Sequence, residues 1–137
     1  MAATLGGTGA RVAGVAFRST GLTRLEVSKI PHHTLTVLYG KTLRTLQKMP
    51  EESTYRQSAE RIVKERLDLV TKYKDPVQLE QKINAGLLEE VILHAEYELM
   101  LARNFLEWKP WEPLISEPPP NQWQWPVRAV PSGSGKT

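Results

Sequence analysis

Cysteine does not occur among the 137 residues. Its absence removes structural disulfides, thiolate zinc sites, iron–sulfur ligation and thiol nucleophiles together. Histidine is sparse, with His32, His33 and His94 the only imidazoles. A carboxylate-bridged metal pair in a helical bundle needs Glu-x-x-His on two helices. The residue three before His94 is Val91, so that arrangement is missing. No apolar run approaches the roughly 18 residues needed to cross a bilayer, and Val12 to Phe17 falls far short of it. Strand-like alternation of apolar and polar residues is also absent, which points away from a sheet.

Acidic residues are missing from one end. Residues 1–25 carry Arg11, Arg18 and Arg24 with no acid before Glu26. Small, hydroxylated and apolar residues punctuated by arginine are the composition of a mitochondrial import segment, and also of a terminus that simply lacks acids. Residues 26–86 have eleven bases and eight acids, whereas residues 87–137 have four bases and seven acids. The overall +3 charge is therefore polarised along the chain. A nucleic-acid surface interleaves bases with stacking aromatics. Here all four tryptophans sit in the acidic segment, which argues against a nucleic-acid partner.

What is present is helical periodicity. Leu88, Val91, Ile92, Ala95, Leu99, Ala102, Phe105 and Leu106 recur at three- and four-residue spacing, predicting a long helix over 87–108 with one apolar face. Glu89, Glu90, Glu96, Glu98, Arg103 and Glu107 are expected on its opposite face. A first helix opens at Pro31, where proline suits the first turn, and closes before Pro50. Thr54 and Gln57 have the spacing of a capping box for a second helix. Its buried stripe is expected to be Tyr55, Ala59, Ile62, Val63, Leu67, Val70 and Tyr73. Asp75 followed by Pro76 starts a third, shorter helix, with Leu79 and Ile83 as anchors and Gly86 as its breaker. The fold expected is all-α: a three-helix up-and-down bundle over 26–108 with one extra short helix.

Beyond this bundle, Trp108, Trp111, Trp123 and Trp125 fall within eighteen residues, interleaved with Pro110, Pro113, Pro118, Pro119 and Pro120 and closed by Pro126. Proline disfavours helix interiors and ladder pairing, so residues 109–126 are expected to form an extended tail. Large aromatic side chains on such a tail need a surface to lie against, either the bundle itself or another protein. Residues 127–137, rich in Ser and Gly, are expected to be a flexible end.

No catalytic constellation emerges. Gly133-Ser134-Gly135-Lys136-Thr137 ends like a phosphate-binding loop, but position 130 is Val where that loop needs Gly, and no helix follows. Adjacent carboxylates such as Glu51-Glu52 and Glu89-Glu90 diverge on a helix, unlike a converging acid and base. Catalytic, metal-ligating and cofactor-binding residues are accordingly assigned to none.

Several blocks together resemble the alpha-subcomplex subunit 5 family of mitochondrial NADH:ubiquinone oxidoreductase, respiratory complex I. They are Pro31-His32 with Leu35 through Lys41, Met49-Pro50, Tyr55-Arg56, Gly86 with Glu89-Glu90, Glu98-Leu99 and Leu101-Ala102-Arg103. The most specific run is Glu107-Trp108-Lys109-Pro110-Trp111-Glu112-Pro113-Leu114, then Pro118-Pro119 and Gln122-Trp123-x-Trp125-Pro126. The similarity covers residues 20–126, and Leu87 departs from it where relatives often have Gln. The resemblance implies a non-catalytic accessory subunit without cofactor, peripheral to the mitochondrial inner membrane on the matrix side. Its implied partners are the hydrophilic core and accessory subunits of the peripheral arm, in a hetero-oligomer. Trp108, Trp111, Trp123, Trp125 and Pro126 are the expected partner-binding residues. A free helical adaptor of another mitochondrial assembly shares the same physical features, and a small-bundle enzyme would need a convergent polar pocket.

Overall fold

The computed structural model describes residues 19–126. Of the import segment read over residues 1–25, residues 1–18 lie outside the described residues, as does the flexible end over 127–137. Four helices follow in order: α1 (Pro31–Leu46), α2 (Thr54–Lys72), α3 (Pro76–Ile83) and α4 (Leu88–Trp108). Among the described residues there is no strand, as the all-α expectation requires.

Local chemistry sets the boundaries. Pro31 occupies the first turn of α1, and after Leu46 a tight turn carries the Met49 N–H to the Leu46 carbonyl before Pro50. The N-cap of α2 is Ser53, whose hydroxyl accepts from the Arg56 N–H, and not the expected Thr54. Gln57 therefore lies one position too far on to close a capping box, and its amide donates instead to the Glu51 carbonyl at 2.9 Å. Asp75 caps α3 through the Val77 N–H, with Pro76 at the first helical position, as its sequence signature predicts.

The link from α3 to α4 is tighter than a single helix breaker. Asn84 ends α3 in the left-handed conformation, and Gly86 follows at φ +85°. The Glu90 carboxylate folds back over Gly86, into the space a Cβ would fill, and accepts the Leu87 N–H at 2.8 Å. Glycine is thus required there twice, for its positive φ and for this close approach. Glu80 on α3 accepts the Leu88 N–H at 3.2 Å, so two donors that the start of α4 leaves without helical partners are satisfied.

α1 packs against both α2 and α4, while α3 packs on α2. One cluster joins Leu35 and Tyr39 of α1 to Val63 and Val70 of α2, Leu79 of α3, and Leu88, Val91 and Ala95 of α4. A second, at the other end, joins Leu46, Met49, Ala59 and Ala102, with Tyr55, Phe105, Leu106 and Trp111 packed against it. The expected stripe of α4 is buried at Leu88, Val91, Ala95, Leu99 and Ala102.

Two further expectations fail. Ile62 is 41% exposed, because its neighbour Val63 takes the core position. Glu89, expected on the outer face, is buried and accepts the Ser28 N–H at 3.1 Å, since the segment before α1 crosses the start of α4 there. On the outer side of α2, Lys64, Glu65 and Asp68 are exposed. Lys64 lies 2.6 Å from Glu60, and Arg56 3.6 Å from it. The Lys64 hydrogen bond holds the Glu60 carboxyl below its ordinary value.

Candidate functional site

Two features of the surface are built well enough to be sites: the tryptophan-bearing tail and a cleft between α2 and α4. The tail starts where Lys109 closes α4 in the left-handed conformation, its N–H bonded to the Phe105 carbonyl at 2.9 Å. Lys109 then pairs with Glu112 at 3.6 Å across a turn. From there to Pro126 the described chain carries neither helix nor strand, and bends again at Asn121, which has φ +68°.

The four tryptophans divide. Trp111 returns to the bundle, packing on the cluster of Leu46, Met49, Ala59 and Ala102. Trp108 ends α4 with its ring 5.9 Å from that of Phe105, which in turn meets Tyr55 edge-on at 4.5 Å. It nevertheless stays 64% exposed. Trp123 and Trp125 are 87% and 88% exposed, and Leu114 and Ile115 are also open to solvent. Pro126, the last described residue, is exposed as well. One of the five expected partner-binding residues, Trp111, is thus engaged by the chain's own fold, and the other four present surface outward. Large apolar side chains exposed together in this way mark an interaction site.

The cleft encloses about 370 Å³ and is lined by Tyr39 and Thr42 of α1, Tyr55 and Arg66 of α2, and His94 and Glu98 of α4, among others. The sequence offered no signal for this convergence, since its residues come from three helices and match no motif. Tyr55 donates its hydroxyl to Glu98, and burial together with that carboxylate pushes the Tyr55 phenol above its ordinary range. It stays a donor at any physiological pH, and the pair is a strut between α2 and α4 with its proton fixed in place. Tyr39 is deeper, with its hydroxyl shielded from solvent and, among the described residues, no partner in hydrogen-bonding geometry. Burial raises its phenol too, while the nearby Arg66 guanidinium pulls the other way.

A buried hydroxyl without a partner costs about 1–3 kcal/mol. Tyr39→Phe is therefore expected to leave the thermal midpoint unchanged or to raise it, by up to about 1 kcal/mol of stability. A loss of more than that in calorimetry would show that the hydroxyl has a partner in solution. Among the described residues no group of three or more His, Asp or Glu side chains converges to hold a metal ion. Among the described residues no helix is long and apolar enough to cross a membrane.

Comparison with known proteins gives a consistent set of relatives. The family model described as "ETC complex I subunit conserved region" matches residues 24–90, from the segment before α1 to the first turn of α4. NADH dehydrogenase (ubiquinone) 1 alpha subcomplex subunit 5 of Mus musculus is 50% identical over 116 residues, 85% of this chain and 100% of the relative. The protein of the same name from Bos taurus is 46% identical over the same shares. Subunit MCI4 of the NADH dehydrogenase (ubiquinone) 1 alpha subcomplex of Candida albicans is 37% identical over 105 residues, 76% of each chain.

Proposed function

This chain belongs to the complex I alpha subcomplex subunit 5 family, and from that premise we infer that it works as an accessory subunit of mitochondrial respiratory complex I. It is one component of a hetero-oligomer, and its contribution is to the assembly and stability of the machine that passes electrons from NADH to ubiquinone. The subunit is structural. It does no chemistry itself, and it sits on the matrix-facing peripheral arm against hydrophilic neighbours, peripheral to the inner membrane.

The observation that carries this reading is the exposure of Trp123 and Trp125 at the end of a tail that otherwise returns only Trp111 to the bundle. Burying a large apolar side chain is worth about 1.5–3 kcal/mol. Tryptophan is also among the residues that most often dominate protein interfaces. The prolines between them reduce the conformational freedom lost when the tail is ordered on a partner. The Tyr55–Glu98 strut supports a structural part in the same way, because it ties two polar groups of the cleft to each other.

The test is a native-gel separation of detergent-solubilised mitochondrial membranes, probed for this chain beside NADH dehydrogenase activity. Migration with the active megadalton band is the expected result. A chain that runs only as a small free species would overturn the assignment and leave a soluble adaptor of another assembly in its place.

A further inference from the structure

The cleft between α2 and α4 has α1 for its floor, because α1 packs against both helices and they form the two walls. Val63 and Val70 of α2 share a cluster with Leu88, Val91 and Ala95, while Tyr55 and Ala59 lie with Phe105 and Ala102. The walls therefore run antiparallel, and the cleft has two different ends. At one end Tyr55 gives its proton to Glu98, so that carboxylate is already engaged. Arg66 lies about three turns further along α2, and His94 stands on the facing wall, one turn before Glu98.

Tyr39 meets the Arg66 end from the floor. It is 2% exposed, and its hydroxyl has no hydrogen-bond partner among the described residues although the Arg66 guanidinium is near. Arg66 is half-buried and, among the described residues, pairs with no carboxylate. Thr42 adds no free donor, because its hydroxyl goes to the Leu38 carbonyl at 3.0 Å. Between the two ends the walls are hydrocarbon, from Ala59, Ile62 and Val63 on α2 and Ala95 on α4.

The unused hydrogen-bonding capacity of the cleft is thus donor capacity, gathered at one end of an apolar slot. A buried donor without an acceptor is costly, and a guanidinium fork is shaped to take a carboxylate. One guanidinium and one phenol match a single carboxylate, whereas a phosphate dianion needs more donors than converge here. The space of about 370 Å³ is more than twice the roughly 150 Å³ that holds benzene in an engineered cavity.

We propose that this cleft is a binding site for a small organic acid, one carboxylate carried on an apolar chain. The carboxylate sits at Arg66 and Tyr39, and the chain lies along the hydrocarbon walls toward the Tyr55–Glu98 pair. Such a site goes beyond the accessory-subunit reading and does not depend on it. A cationic amphiphile of the same size is rejected by Arg66.

The experiment titrates the purified full-length chain with sodium octanoate by calorimetry and follows its thermal midpoint. Octanoate is expected to bind one-to-one with a Kd below about 1 mM and to raise the midpoint. Arg66→Gln is expected to weaken binding at least tenfold. Tyr39→Phe is expected to weaken it at least threefold while the midpoint of the unliganded chain is held or raised, and it carries the test if Arg66→Gln fails to fold. Arg61→Gln removes the same charge from outside the cleft, where Arg61 pairs with Glu65, and is expected to bind as wild type does. Trp123→Ala with Trp125→Ala is expected to bind normally too. Octylamine, which lacks the negative head, and inorganic phosphate, which lacks the chain, are expected not to bind at the same concentrations.

Failure of octanoate to bind the wild-type chain would overturn the proposal, as would undiminished binding by Tyr39→Phe and Arg66→Gln. Equal binding of octylamine would overturn the anionic character of the ligand. Loss of binding in the Trp123 and Trp125 variant would move the octanoate from the cleft to the tail. If octanoate does not bind and a folded Arg66→Gln chain is missing from the complex I band, the cleft holds an acidic side chain of a neighbouring subunit instead. The titration uses the isolated chain, so its outcome is separate from whether that chain migrates with complex I.

Discussion

Replacing Trp123 and Trp125 together by alanine is expected to lower the amount of this chain in the active complex I band at least tenfold, while the thermal midpoint of the isolated chain moves by no more than about 3 °C. Both side chains are almost entirely exposed, so they contribute next to nothing to the bundle. Exposed positions of this kind usually change stability by less than about 0.5 kcal/mol. In an interface, each ring has about 2 kcal/mol to lose, and 1.4 kcal/mol is already a factor of ten. Trp111→Ala is the useful contrast. It packs on the cluster of Leu46, Met49, Ala59 and Ala102, so its loss is expected to lower the midpoint as well as incorporation. If the Trp123 and Trp125 double variant also melts many degrees lower, the two rings belong to the chain's own core and the tail is not a docking element.

Leu35→Ala is expected to cost about 3 kcal/mol, at the lower end of what buried leucine truncations cost in well-packed cores. Leu35 is wholly buried on α1, in the cluster that gathers α2, α3 and α4 around it. A cavity there would open in the core that α1 shares with α2 and α4. For a domain of this size the loss corresponds to a midpoint lower by about 15 °C. Ile62→Ala removes as much hydrocarbon from the lining of the cleft, where the residue is 41% exposed, and is expected to cost about 1 kcal/mol. Thermal or urea unfolding of the two variants side by side decides the matter. Equal losses would mean that α2 is turned on its axis and that Ile62, not Val63 beside it, faces the core.

The four helices were legible in the chain because their signals are local. Asp75-Pro76 announces α3, and the three- and four-residue spacing of Leu88, Val91, Ala95, Leu99 and Ala102 announces α4. The misses have non-local or one-residue causes. Ser53 and Thr54 are equally good caps by type, and only the turn from Pro50, whose carbonyl takes the Ser53 N–H, decides between them. Glu89 is buried by a segment sixty-one residues earlier in the chain, through the Ser28 N–H, which no helical period encodes. Of the site, the aromatic and proline content of the tail was evident from composition. The parting of Trp111 from Trp123 and Trp125 was not, because it depends on how far the tail travels from Phe105 and Leu106 before it turns away. The cleft was hidden for a related reason: Tyr39, Arg66 and Glu98 share no spacing, and the packing of α1 against both α2 and α4 is what assembles them.

The apolar side chains that the tail turns toward water also bear on the life of the subunit before it is assembled. Leu114, Ile115, Trp123 and Trp125 stand open in the free chain, and exposed surface of this kind invites self-association and triage by chaperones and proteases. Such a chain is durable only in proportion to the partners waiting for it. Its steady level in the organelle is then set less by its own synthesis than by the supply of vacant seats, and a surplus is removed by the same side chains that make it fit.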